Sequence, residues 1–232
     1  MALIKKNLYT TKSLMMLALV SAFLLGSINV LASGGGDAAA AARKAKTTEA
    51  ELLLSTLGYW ITSVDGVSDD STRQAVIAFQ KVNGLKRTGV LTDDVLNEIR
   101  AGSRPTAKYD GAAHVEIDIS RQVIFLVDDS GQVTKVLSTS TGSGERYFSD
   151  GKWDRAYTPR GRFVISRQIH GTRKAPLGTI YNPSYFNGGI AIHGSNSVPV
   201  TAASHGCARI PRFADKDFVD MVRIGMPVYV YD

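Results

Sequence analysis

The strongest constraint in this 232-residue sequence is a change of hydrophobic period partway along it. Up to residue 101 the apolar residues recur every three or four positions, as in Val76, Phe79 and Val82, with Ile77 widening the stripe. Beyond residue 112 they alternate, Val115, Ile117 and Ile119 against Glu116 and Asp118. The first pattern buries one side of a helix and the second one face of a strand, so no single element satisfies both. The chain therefore reads as a small all-α three-helix bundle over residues 47–101 and a mostly-β domain over 113–232. Between them, "GSRPTAKYDGA" at 102–112 reads as a linker.

In the helical part, Thr48 is placed to cap a helix from Glu49, with Glu51 completing a capping box and Leu53, Leu54 and Leu57 forming its apolar side. The Asp65–Gly66 pair marks a turn. Asp70 or Ser71 caps a second helix running through Val82, stopped by Gly84, and Thr92 caps a third carrying Val95, Leu96 and Ile99. Three short helices leave a thin core. Val76, Phe79, Leu85, Leu96 and Ile99 are assigned to that core, and Tyr59 and Trp60 are candidate ligand contacts.

In the β part, "HVEIDIS", "QVIFLV", "QVTKVLSTSTG", "GRFVISRQI", "GGIAIHG" and "GMPVYVYD" read as strands, and residues 211–225 as the one helix. The stretches 142–161 and 170–189 read as irregular and aromatic-rich. Tyr147, Trp153, Tyr157, Tyr181 and Tyr185 are expected to wall a cleft for an extended polar ligand.

The N-terminus supplies a compartment. Lys5, Lys6 and Lys12 precede the apolar run 14–26, and Val30 and Ala32 fit the small-residue positions of a cleavage site. Residues 1–32 read as a secretory signal peptide, or as an uncleaved anchor because the apolar stretch nearly spans a bilayer. Residues 33–46, "SGGGDAAAAARKAK", lack a large apolar side chain and read as a flexible linker. Export to the cell envelope with a single cysteine means a core held by packing rather than disulfides. The net charge of +6 suits an anionic surface, but no basic stripe interleaved with aromatics speaks for nucleic acid.

The chemistry concentrates in "IAIHGSNSVPVTAASHGCARIP", residues 190–211. It holds the only cysteine, Cys207, two of the four histidines, His193 and His205, and Arg209. Cys207 is a candidate nucleophile with a histidine base, His193 favoured over His205. Gly206 and Cys207 N–H groups are candidate oxyanion donors. No carboxylate lies between the two ends, so the second ring nitrogen of His193 is expected to find the Gly194 carbonyl or Ser195. Ser204 is expected to bond locally. Arg209 either favours thiolate or holds a substrate carboxylate, the alternative being a pair with Asp215 or Asp217. Zinc on His193, His205 and Cys207 is disfavoured because an His-x-Cys pair bends awkwardly onto one ion, and no cofactor is called for.

Two resemblances follow from these residues. "VDGVSDDSTRQAVIAFQKVNGLKRTGVLTDD" resembles the three-helix peptidoglycan-binding module of cell-wall enzymes, which implies tethering to the wall. The residue-level alternative is a domain that only spaces or packs. "TPRGRF", "GGIAIHGS" and "SHGCARIP" are similar in order and spacing to the L,D-transpeptidase catalytic domain. That resemblance implies a β-sandwich-like fold, peptidoglycan stem peptides and glycan as partners, Cys207 as nucleophile, His193 as base, and His205, Gly206 and Arg209 shaping the site. It also implies a thioester formed with release of terminal D-alanine and resolved by a neighbouring stem amine. Water as the acceptor would make an L,D-carboxypeptidase, and an inert site a wall-binding protein.

Overall fold

The structure, a computed structural model, describes residues 35–232. The signal or anchor reading of residues 1–32 lies outside them. Among the described residues no helix is long and apolar enough to cross a membrane.

Helix α1 (Gly35–Thr56) starts well before Glu49 and takes up most of the expected flexible linker. Five consecutive alanines followed by Arg and Lys are strong helix formers without a break, and Asp37 in the first turn complements the helix dipole. Thr48 is therefore mid-helix, its hydroxyl donating to the Lys44 carbonyl at 3.0 Å. Glu51 closes no capping box either. Its buried carboxylate accepts the Asp65 and Gly66 N–H groups at 3.0 and 2.9 Å and the Thr72 hydroxyl at 2.7 Å, which fixes the Asp65–Gly66 turn. Helix α2 (Asp70–Val82) is capped by Asp69, one residue before the expected cap, and α3 (Asp93–Ala101) by Thr92 as expected.

The β domain is two five-stranded sheets and a hairpin. Its strands are β1 (His114–Asp118), β2 (Val123–Val127), β3 (Val133–Ser138), β4 (Arg146–Ser149), β5 (Lys152–Arg155) and β6 (Gly161–Val164). They continue as β7 (Arg167–Gln168), β8 (Thr172–Ala175), β9 (Gly178–Asn187), β10 (Ile190–Ser195), β11 (Ala208–Pro211) and β12 (Pro227–Tyr231). Sheet 1 runs β3-β2-β1-β12-β6. Sheet 2 runs β11-β10-β9-β7, with β8 on β9, and β4 pairs only with β5. Helix α4 (Arg212–Met221) lies against β9, β10 and β11. The expected strand 161–169 is broken, because the chain leaves sheet 1 after β6 and enters sheet 2 at β7. The stretches read as irregular are hairpins, since Asp150–Gly151 and Pro176–Leu177 turn short runs of alternating residues back on themselves.

Strands β1 and β2 of sheet 1 are covered on both faces. Val115, Ile117, Ile124, Leu126, Val228 and Val230 pack toward Phe186, Ile192, Ile210 and Phe218, the core between the sheets. Val123, Phe125, Val127, Val133 and Val136 pack toward Leu54, Tyr59, Val76, Phe79 and Ile99. Such side chains contribute about 1.5–3 kcal/mol each on full burial, so the thin helical core becomes adequate only by sharing the sheet. Leu96 is also buried, and Leu85 is half-buried against the shared cluster.

This corrects two expectations. Tyr59 is buried in the core shared with the helices and Trp60 in the core between the sheets, neither presented to a ligand, and the backbone there pairs with β3 through Trp60 N–H to Val136 O at 3.0 Å and Val136 N–H to Gly58 O at 2.8 Å. The expected linker 102–112 is bonded along its length. Arg104 donates to the Val133 carbonyl at 2.8 Å and to the Thr56 carbonyl at 2.5 Å. The N–H groups of Lys108 and Tyr109 reach the Glu116 carboxylate at 2.9 and 2.7 Å. Ala40–Asp232 is one compact unit.

Candidate active site

The site is built on the edge of sheet 2. Strands β10 and β11 are parallel, with His193 opposite Arg209 and Ile192 opposite Ala208. Alternation sends Ile192, Ala208 and Ile210 into the core. His193 and Arg209 stand on the other face, and Cys207, one residue before β11, falls on the same face beside Ala191. The Ala191 N–H donates to Cys207 Sγ at 3.5 Å.

The turn holding Cys207 is fixed by short polar contacts. Ser204 Oγ donates to the Cys207 carbonyl at 2.6 Å and accepts the Gly206 N–H at 3.0 Å. Thr158 Oγ1 donates to the Gly206 carbonyl at 2.6 Å and accepts the Gly142 N–H at 2.9 Å. Gly206 has φ +135°, and a Cβ there would come within 2.7 Å of the Tyr157 carbonyl oxygen, so only glycine fits. Because Gly206 N–H is engaged by Ser204, the expected pair of oxyanion donors reduces to the Cys207 N–H.

His193 is buried, and its Nδ1 lies 2.8 Å from the Gly194 carbonyl. A carbonyl only accepts, so Nδ1 carries the proton and Nε2 keeps its lone pair. The acceptor is Gly194, not Ser195, whose hydroxyl donates to the Ser197 carbonyl at 2.9 Å. Gly194 is itself held: a Cβ there would overlap the buried Asp215 carboxylate, which pairs with Arg212 and accepts from Asn182 Nδ2 at 3.0 Å. Asp215 thus pairs with Arg212 rather than Arg209. Among the described residues Arg209 meets no carboxylate and lines the cleft.

Burial shifts the titration of both groups. Burial raises the Cys207 pKa, opposed by the Ala191 N–H and the Arg209 charge. Burial also lowers the His193 pKa, with the Gly194 bond opposing and Arg209 adding. Both shifts favour thiol and neutral imidazole over thiolate and imidazolium.

An open cleft of about 600 Å³ runs over Cys207. Cys207, His193, His205, Arg209, Ser195, Ser204, Tyr147 and Tyr185 all line it. His205 is exposed and sits edge-on to Tyr147, ring centres 4.8 Å apart. Three expected aromatic walls lie elsewhere. Trp153 is 62% exposed and faces Phe148 and Arg146 on the outer side of β4–β5. Tyr157 is exposed and presents its carbonyl to Gly206. Tyr181 lies under the Arg212 guanidinium, 3.7 Å from it. Strand register explains Trp153: Tyr147 and Asp154 are paired on the cleft face, and Phe148 and Trp153 on the other. Sequence reasoning missed Arg167 and Arg173 in the cleft wall and Thr158 beneath Gly206. Thr158 belongs to the quoted "TPRGRF", but nothing local announces its partner 48 residues on.

The β domain thus carries a cysteine and a tautomer-fixed histidine on one open face and is backed by a three-helix module. The profile of the L,D-transpeptidase catalytic domain matches residues 112–230, and the chain belongs to that family. The peptidoglycan binding domain profile matches residues 43–99, so its start falls inside α1. The L,D-transpeptidase (residues 123-326) of Xylanimonas cellulosilytica is similar in structure, with 39% identity over 80% of this chain and 93% of that one and a TM-score of 0.77. An L,D-transpeptidase of Stackebrandtia nassauensis shares 20% identity over 80% of this chain and 90% of that one, with a TM-score of 0.48. The localization factor PodJL of Caulobacter vibrioides is 39% identical over 68 residues, a match spanning 29% of this chain and 7% of that protein. The two matched domains support peptidoglycan as the partner.

Proposed function

We propose that the protein is an exported L,D-transpeptidase that crosslinks peptidoglycan stem peptides through a Cys207 thioester. The observation that supports this best is the shared face of Cys207 and His193, with His193 Nδ1 on the Gly194 carbonyl and Nε2 left free to take the thiol proton.

Sγ of Cys207 attacks the carbonyl of the third stem residue as Nε2 accepts the thiol proton, and the Cys207 N–H receives the developing oxyanion. Collapse breaks the bond to terminal D-alanine, and His193 returns the proton to the leaving amine. An amine of a neighbouring stem then attacks the thioester and loses a proton to His193, and the thiolate leaves. The nucleophile is regenerated as the imidazolium gives that proton back. Water in place of the amine gives the carboxypeptidase outcome by the same steps. Arg167, Arg173 and Arg209 supply positive charge around the cleft for the carboxylates of the stem.

Incubation with defined tetrapeptide muropeptides tests the reading. Crosslinked dimer with free D-alanine is expected, tripeptide alone would convert the assignment to a carboxypeptidase, and unchanged substrate would reject it.

A further inference from the structure

We propose that the helical module is a working part of the catalytic centre, with Lys81 on α2 as the positioning residue that fixes the segment 138–141 and, through it, the Cys207 turn. The inference rests on Cys207 being the nucleophile.

Lys81 is only 1% exposed, yet its side chain ends in an amine. Its Nζ donates to the Gln122 carbonyl at 3.0 Å, the Ser138 hydroxyl at 2.8 Å and the Thr139 carbonyl at 2.8 Å. All three acceptors belong to the β domain and none to the helices. An ammonium has three hydrogens, and each has one partner. Burying a charge merely to fill space is costly where a methionine would pack as well, so the geometry points to what the three bonds specify. Burial, with a smaller contribution from Arg87, lowers the Lys81 pKa to about 7.

The held segment leads directly to the site. Thr139 N–H returns to the Gln122 carbonyl at 2.9 Å, and Thr139 Oγ1 donates to the Arg209 carbonyl at 2.8 Å. Ser140 exchanges both backbone bonds with Arg209, at 3.3 and 3.1 Å. The Thr141 carbonyl accepts the Ala203 and Ser204 N–H groups at 3.0 and 2.9 Å, and Ser204 is the residue whose hydroxyl bridges Gly206 and Cys207. The Gln122 side chain locks Thr141 in turn, by Nε2 to Oγ1 at 2.7 Å and by the Thr141 N–H to Oε1 at 2.8 Å. A second tether runs in parallel: Arg87 of the helical module donates to the Val200 carbonyl at 3.1 Å, in the loop between His193 and Cys207. Each step is a single hydrogen bond or one residue of backbone between Lys81 and the Cys207 turn.

The test compares Lys81→Met with Phe79→Leu, a change in the same helix that weakens the shared core without touching the chain of bonds. Lys81→Met is expected to lower kcat and the rate of Cys207 acylation by a carbapenem at least roughly tenfold, with KM within about twofold. Phe79→Leu, even at an equal loss of Tm, is expected to leave both rates within about twofold. Thr139→Val removes the next bond and is expected to act in the same direction as Lys81→Met. Equal acylation in Lys81→Met and wild type, or equal slowing in Phe79→Leu, overturns the proposal. A wild type that fails to acylate removes the nucleophile assignment instead. Amide exchange at Ala203, Ser204 and Arg209 then still decides the coupling: faster exchange in Lys81→Met supports it, and unchanged exchange overturns it.

Discussion

The two sheets are made of similar strands and do opposite work. Sheet 1 is closed, and every residue of β1 and β2 is buried because one face meets the helices and the other meets sheet 2. Sheet 2 is closed on one face only, and its open face carries Cys207, His193 and Arg209 in a cleft rimmed by two hairpins. The proposed nucleophile, Cys207, needs access, and it also needs a turn that does not move. The closed sheet supplies the second condition and the open one the first.

That contrast predicts where substitutions act. Phe79→Ala empties the core shared by helices and sheet 1. It is expected to cost about 3–5 kcal/mol, read by urea denaturation as a lower midpoint with little change in slope. His193→Ala acts on the open face. It is expected to lower muropeptide turnover at least roughly 100-fold with little change in Tm, whereas His205→Ala stays within about tenfold. Loss confined to His205→Ala would mean that the exposed ring on Tyr147 is the base.

A pH measurement sharpens the comparison on the closed side. The Lys81 pKa is lowered to about 7 from its ordinary unfolded value of about 10.4, so between these the unfolded chain binds more protons. Stability therefore rises with pH across that window in the wild type, and Lys81→Met is expected to lose the rise. A flat wild-type profile would contradict the lowered Lys81 pKa. On the open side, the lowered His193 pKa keeps the imidazole neutral below the usual histidine range, so the acid limb of turnover is expected below pH of about 6.5. The smallest effect is expected at the rim: Trp153→Ala should change stability by no more than about 0.5 kcal/mol, because its ring lies outside both cores.

The sequence was most informative where one period served one partner. Val115, Ile117 and the "VIFLV" run announced strands, and Thr92 announced its helix, since each signal is local. The burial of Glu116 was not legible, because its partner Tyr231 Oη, 2.9 Å away, is 115 residues on. Lys81 is likewise a polar residue on an amphipathic stripe until the β domain is in place to receive it. At the site, Cys207 and His193 were readable because both fall within residues 190–211 and Gly194 follows the histidine directly. The support from Thr158, Thr139 and Asp215 was not, as each arrives from a separate element. The aromatic-rich stretches misled for a simpler reason: composition named the rings, but only hairpin register decided which faced the cleft.

The central claim is that the open face of sheet 2 forms an acyl-enzyme on Cys207. Intact-protein mass spectrometry after brief incubation with a carbapenem measures it directly. A single covalent adduct, mapped by peptide digestion to Cys207 and absent in Cys207→Ala, is the expected result. An unmodified wild-type protein, or an adduct that persists in Cys207→Ala, would contradict the account.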